Sequence, residues 1–284
     1  MRIDAHQHFW KFDPVRDSWI NDDMSVIRRD FLPEDLEPLL HASRMDGCVA
    51  VQADQSEAET RFLLELAEQH RFIKGVVGWI DLQSSGIEER LDHYSSFPLL
   101  KGFRHILQGE AQRDLMLSPA FTSGIAALQA RGYTYDILIY PDQLRYAGTL
   151  AAQFPGQAFV VDHLAKPKIK SGETRGWKVD IEALAAMPNV CCKLSGFVTE
   201  ADWKDWKEED FEPYFDIVLN AFGPDRVLFG TDWPVCLLAA GYERVLHVVE
   251  RFVDRLSETE RAAIMGGNAT RFYKLEDYGS ATNR

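Results

Sequence analysis

Basic residues are scarce in this sequence. Lysine and arginine total 31 against 44 aspartates and glutamates, a formal net charge of −13. Phosphate backbones are bound by basic faces, so a nucleic-acid partner is excluded. Long apolar runs are missing too. None approaches the length that crosses a bilayer, so no membrane partner is expected. Cysteine is sparse: Cys48, Cys191, Cys192 and Cys236. No C-x-x-C pair occurs, and three of the four lie in strand-like apolar runs. They read as reduced core residues of a cytoplasmic protein. With a first strand read from Ile3, no secretory leader is expected, in keeping with that location. There is no Walker loop, no Rossmann glycine fingerprint and no G-x-S-x-G elbow. Gly75-Val76-Val77-Gly78 is only a strand with glycines.

What is present is a repeating pattern. Eight short β-rich runs recur: Arg2–His8, Gly47–Ala53, Ile73–Ile80, Leu100–Leu107, Tyr133–Tyr140, Gln157–His163, Asn189–Ser195 and Arg226–Asp232. Most are apolar throughout rather than alternating, as parallel strands buried on both faces are. Helical segments lie between them. Ser56-Glu57-Ala58-Glu59 and Ser257-Glu258-Thr259-Glu260 read as capping boxes, and Ser118-Pro119 as an N-cap with proline at the first helical position. A chain of 284 residues with 46% hydrophobic content fills one barrel comfortably. The fold class is therefore α/β, a single (β/α)₈ TIM barrel over residues 1–275. Residues 276–284 are expected as a frayed tail, and an open doubly wound sheet is the alternative architecture. Two intervals, from Phe9 to about Leu32 and from Gly196 to Phe211, are longer than a crossover needs. Both follow strand C-termini, where a barrel carries its active site.

Polar residues gather at those tips. His6 and His8 stand two apart on strand 1, so both imidazoles point to one face. Such a pair binds a metal or polarises a carbonyl. Strand 4 ends in Arg104-His105, strand 6 in Asp162-His163 and strand 8 in Thr231-Asp232-Trp233. Lys193 sits in an otherwise apolar strand 7. Pointing inward, it needs a carboxylate partner or a substrate oxygen; pointing outward, its stem lies along a helix. Glu200 in the following loop is a candidate proton donor, and Gln52 and Asp54 at the tip of strand 2 are weaker candidates. Trp10, Trp19, Trp203 and Trp233 fall in mouth loops, where aromatic walls suit the apolar face of a sugar-like ring.

His6-x-His8, His163 and Asp232 together resemble the amidohydrolase superfamily over almost the whole chain. More narrowly, several segments resemble its sugar-lactonase branch, the L-fuconolactonase- and L-rhamnonolactonase-like enzymes. These are Ile3-Asp4-Ala5-His6-Gln7-His8-Phe9-Trp10, Lys101-Gly102-Phe103-Arg104-His105, Asp162-His163-Leu164-Ala165-Lys166-Pro167, Lys193-Leu194-Ser195-Gly196, Gly230-Thr231-Asp232-Trp233-Pro234 and Gly267-Asn268-Ala269. The resemblance implies hydrolysis of a sugar lactone to the open acid. Asp232 is then the general base, His6, His8, Arg104 and His163 hold the carbonyl, and Glu200 or a histidine protonates the departing oxygen. Lys193, His105, Gln52, Trp10, Trp203 and Trp233 are expected to bind the sugar. Metal-dependent members place a histidine on strand 5. Here Tyr133–Tyr140 has none, and Lys101 lies too early in strand 4 to bridge two ions. A binuclear centre is not expected. One divalent ion, zinc, is an optional occupant held by His6, His8 and Asp232. Two other readings stay open: a metal-dependent decarboxylase using Arg104 and Lys193 for a carboxylate, and a non-catalytic sugar-acid binder. Assembly into a homo-oligomer also stays open.

Overall fold

The computed structural model describes residues 1–276. The expected tail, apart from Glu276, lies outside the described residues. Eight parallel strands form one sheet in chain order: β1 (Ile3–Gln7), β2 (Gly47–Val51), β3 (Ile73–Gly78), β4 (Leu100–His105), β5 (Thr134–Ile137), β6 (Phe159–Val161), β7 (Val190–Leu194) and β8 (Val227–Phe229). The sheet curls until β8 meets β1. Gln7 bridges Trp233, His8 N donates to Trp233 O at 2.7 Å, and Asp232 N donates to His6 O at 2.8 Å. The doubly wound alternative is thereby excluded. Each strand is shorter than its apolar run. The polar tips of β6 and β8 lie beyond the ladder, whereas Arg104 and His105 stay paired with Asp136 and Ile137 of β5.

Helices follow the strands: α1 (Pro33–Ala42), α2 (Glu57–Gln69), α3 (Ile87–Tyr94), α4 (Pro119–Arg131), α5 (Leu144–Gln153), α6 (Arg175–Ala185), α7 (Glu212–Phe222) and α8 (Tyr242–Val253), then the short α9 (Glu258–Ala262) and α10 (Asn268–Phe272). Ser118 caps α4 through Phe121 N. Ser257 and Glu260 complete a reciprocal box on α9. On α2 only half of the expected box forms. Ser56 Oγ accepts from Glu59 N at 3.1 Å, while the Glu59 carboxylate turns away to accept from Ala53 N.

Inside the barrel, Ile3, Ala5, Val49, Val51, Val77, Val160 and Leu228 form an apolar plug with Ala269, Tyr273 and Leu275 from the C-terminal segment. That segment lies under the strand N-termini. A Cβ on Gly266 would stand 2.2 Å from Met1 O, so only glycine permits the approach. One end of the barrel is thus sealed, and the opposite end, where the polar tips converge, stays open. The long interval after β1 folds back over this mouth: Trp10 and Phe31 exchange two backbone hydrogen bonds of 2.9 Å each. No helix among the described residues is long and apolar enough to cross a membrane. All four cysteines are free thiols, three of them fully buried.

Candidate active site

The mouth is organised around the Asp232 carboxylate. Its Oδ1 lies 3.2 Å from His8 Nε2, 3.8 Å from His6 Nε2 and 3.9 Å from His163 Nε2. Asp232 has a left-handed backbone with φ of 61°. Asp4 fixes that local geometry: Oδ1 accepts from His6 N and Thr231 N, and Oδ2 accepts from Thr231 Oγ1 at 2.5 Å. One buried carboxylate therefore pins the seam that carries both His6 and Asp232. Burial pushes the Asp4 carboxyl up to about 6. For Asp232 burial pushes the same way, but the surrounding His163, His8 and His6 outweigh it and hold the carboxyl far below the usual range. Asp232 is ionised at neutral pH.

The tautomer of His8 follows from its partners. His8 Nδ1 lies 2.7 Å from Val51 O, a carbonyl that only accepts. Nδ1 therefore carries the proton, and Nε2 turns toward Asp232. Two acceptors facing at 3.2 Å require a shared proton or a cation between them. His6 Nδ1 lies 3.3 Å from Asp162 Oδ1 and 3.1 Å from Lys193 Nζ, and its Nε2 lies 3.1 Å from Arg104 Nη1, so the acceptor and the two cations make opposing demands on the ring. His163 Nδ1 contacts Ser195 Oγ at 2.9 Å. Burial lowers His163 to about 4 and His6 well below its usual value, so both are neutral at pH 7. His6, His8 and Asp232 offer donor atoms within 4.8 Å of one another, as do His6, Asp162 and His163. Two imidazole lone pairs and a carboxylate are a donor set that suits zinc.

Beneath His6 lies a charged network. Lys193 Nζ is 2.6 Å from Asp136 Oδ2, 3.0 Å from Asp162 Oδ1 and 3.1 Å from His6 Nδ1. All four side chains are buried from solvent. Tyr273 OH donates to Asp136 Oδ2 at 2.7 Å, tying the C-terminal segment to this cluster. Asp162 also accepts from Arg104 Nη1 at 3.1 Å. Burial raises Asp162, but Lys193, His6 and Arg104 outweigh it and hold the carboxyl well below its ordinary range. Burial dominates at Asp136 and pushes it up to about 6.

Above this network is a cavity of about 320 Å³ lined by His8, Trp10, Trp19, Ala53, Arg104, Ile106, Gln108, Gly109, Leu138, His163, Lys166, Asp232 and Val235. One small molecule fits such a volume. Charged and imidazole groups form its floor, and aromatic and aliphatic groups form much of its wall.

A sequence model described as amidohydrolase matches residues 3–275. The chain belongs to the amidohydrolase family. It is 43% identical to an L-fucono-1,5-lactonase of Burkholderia multivorans, over 99% of this chain and 98% of that one. An L-fucono-1,5-lactonase of Burkholderia ambifaria is 39% identical, over 97% and 96%. A crystal structure of a Burkholderia multivorans amidohydrolase with bound zinc superposes with a TM-score of 0.94 at 44% identity, covering 97% of this chain and all of that one.

Within this amidohydrolase barrel the expected site residues separate into two groups. His8, Arg104, His163, Asp232 and Trp10 line the cavity, with His6 directly beneath. Five residues expected to touch substrate do not line it. Lys193 is fully buried and engaged by two carboxylates. Gln52 stands behind Arg104: its Nε2 donates to Arg104 O, and its Oε1 accepts from Arg104 Nη2 at 3.3 Å. His105 is held by Glu110 and by Trp79 Nε1. Trp203 Nε1 donates to Thr199 O. Trp233 packs edge-on against Phe9 and Phe31. These side chains support the mouth from outside the cavity. Glu200 is also off the cavity wall, with Oε1 3.5 Å from Lys166 Nζ. Lys101 lies at the start of β4, 3.4 Å from Lys274 O, far along the strand from the catalytic tips.

Sequence reasoning missed Asp136, Asp162 as a hub, and Lys166. Asp136 was visible as a lone charge in the apolar strand 5. It occupies the strand from which the expected family histidine is absent, and there it neutralises Lys193.

Proposed function

We propose that this chain hydrolyses a sugar lactone, an aldonolactone of the L-fuconolactone type, to the open sugar acid. The observation that carries the reading is the ionised Asp232 carboxylate opening onto a cavity floored by Arg104 and His163 and walled by Trp10 and Trp19. Near-full-length likeness to two L-fucono-1,5-lactonases supports it.

Asp232 takes a proton from water, which attacks the lactone carbonyl. Arg104 and His163 face the oxygen on which negative charge develops, and His6 holds the Arg104 guanidinium in place through Nε2. His8 orients the Asp232 carboxylate. Collapse of the tetrahedral centre breaks the ring C–O bond. Asp232 passes the proton it took from water to His163, whose Nε2 lies 3.9 Å from its Oδ1, and His163, which lies on the cavity where Glu200 does not, delivers it to the departing oxygen. His6, His8 and Asp232 would hold a zinc ion, which would supply Lewis acidity when bound; with Arg104 present at the same cavity we read that metal as optional. The apolar walls and hydroxyl-compatible donors fit a neutral sugar ring. The decarboxylase alternative needs free cations for a substrate carboxylate, and Lys193 is already neutralised by Asp136 and Asp162. A cytoplasmic setting agrees with the four free thiols.

A panel of sugar lactones read by proton release with a pH indicator tests the proposal. Turnover of at least one aldono-1,5-lactone well above the spontaneous rate is expected. Tight binding of sugar acids with no turnover of any lactone would instead establish a binder.

A further inference from the structure

Lys166 lines the cavity, yet the mechanism above gives it no task. Its backbone is unusual. His163, Leu164, Ala165 and Lys166 have φ of 55°, 56°, 56° and 53°, four consecutive left-handed residues without a glycine. Left-handed backbone is unfavourable for L-residues and is ordinarily visited singly. Persistence of four in a row requires the surroundings to over-determine it. They do: Lys166 N donates to His163 O at 2.7 Å, and Trp177 Nε1 donates to Leu164 O at 2.7 Å. On the far side, Gly196 leaves room for the turn, since a Cβ there would lie 2.5 Å from His163 Nδ1. Merely connecting β6 to α6 needs no such conformation.

The turn sorts its side chains. Leu164 and Ala165 are fully buried in the core, whereas His163 and Lys166 reach the cavity. Lys166 is restrained at its tip. Glu200 Oε1 lies 3.5 Å from Nζ, and Nζ stands 5.9 Å from the centre of the Tyr140 ring. A distance of 3.5 Å leaves ammonium hydrogens free for another acceptor. Asp232 carries negative charge at the same cavity, and the chain as a whole is acidic, so an anionic ligand is disfavoured. A hydroxyl group suits the pair: its oxygen accepts from the ammonium, and a neighbouring hydroxyl donates to the carboxylate.

We propose that Lys166, aimed by the left-handed turn and tethered by Glu200, is a specificity-determining residue that binds the ring hydroxyls of a polyhydroxylated lactone. The inference rests on the lactonase reading and deepens it.

The test compares two substrates, L-fucono-1,5-lactone and the unsubstituted δ-valerolactone, in the full-length protein. The ratio of their kcat/KM values reports hydroxyl recognition alone. Hydrogen bonds to charged groups are strong enough that Lys166→Met is expected to lower this ratio about 10- to 100-fold. Most of the change should appear as a higher KM for the sugar lactone. Lys166→Arg, which keeps donors and charge, should recover most of the ratio. Glu200→Gln leaves Lys166 in place but untethered and is expected to lower the ratio about 3- to 10-fold. It decides the matter should Lys166→Met fail to fold. A ratio unchanged in these variants, with both rates falling together or neither falling, overturns the proposal and leaves lactonase activity standing. A wild-type protein that turns over neither of these lactones nor any other aldonolactone of the panel overturns both.

Discussion

Lys193 Nζ lies 2.6 Å from Asp136 Oδ2 in the interior of the barrel, with neither side chain exposed. A lone ammonium there would be prohibitively desolvated, and so would either aspartate. Lys193→Met removes the cation and leaves Asp136 facing Asp162. Destabilisation of about 3–5 kcal/mol is expected from urea unfolding. Adding Asp136→Asn removes the stranded charge while keeping an acceptor for Tyr273 OH, and it should recover at least about 1 kcal/mol of that loss. A double variant no more stable than the single one would show that Lys193 and Asp136 are not coupled.

The same pair shows where sequence reading stops. Continuous apolar runs mark parallel strands because both faces are buried, so all eight strands were legible, with only their tips overrun. His6, His8, His163 and Asp232 were legible because charge at a strand tip is chemically conspicuous. The direction in which a tip residue faces is a different matter. Lys193 meets Asp136, Asp162 and His6 at sequence separations that periodicity does not encode, so its orientation stayed open, and a carboxylate partner could be required of an inward lysine but not named. His105, Trp203 and Trp233 follow tips as the catalytic residues do, yet each turns to a partner outside the cavity. The left-handed turn at 163–166 has no glycine to announce it, so Lys166 passed as one letter of a motif.

Asp232 carries the base assignment. Asp232→Asn keeps the shape of the side chain but cannot accept the water proton. The kcat for a hydrolysed lactone should fall about 10²- to 10⁴-fold, with KM changed far less. The asparagine amide can donate to His8 Nε2 in place of the shared proton, which alters the local network, so thermal unfolding of the variant should be recorded alongside. Near-full activity in a folded Asp232→Asn protein would remove the base from this residue.

The metal question has a separate measurement. His6 Nε2 and His8 Nε2 suit zinc, but Arg104 Nη1 already lies 3.1 Å from His6 Nε2. A cationic side chain thus occupies part of the coordination space. Zinc content by elemental analysis and the lactonase rate, both before and after chelation, are expected to show a rate retained within about twofold as zinc is lost. A stoichiometric metal whose removal abolishes the rate, with zinc alone restoring it, would make the ion obligatory.

Glu59 gives the fold a pH dependence that is independent of the catalytic residues. Its buried carboxylate accepts from Ala53 N at 3.1 Å, at the foot of a loop that reaches the cavity wall. Burial is the main cause of its shift, from an ordinary 4.5 up to about 7. The Ala53 hydrogen bond and Arg16 oppose that shift, while Asp54 and Asp17 add to it. The native state therefore holds the proton more tightly than the unfolded chain. Below pH 4.5 both states are protonated and burial of the carboxyl carries no ionisation cost. Between pH 4.5 and about 7 the unfolded state loses its proton first, so stability declines as pH rises; above about 7 the decline levels off. The full span is at most about 3 kcal/mol. Glu59→Gln cannot ionise, so its stability curve should lack this component. Urea unfolding of both proteins from pH 4.5 to 8 isolates it, because Asp4, His163 and the other titrating groups are common to the two. The wild type should lose stability relative to Glu59→Gln as pH rises, and parallel curves would show that the Glu59 carboxyl ionises in the fold as it does in water.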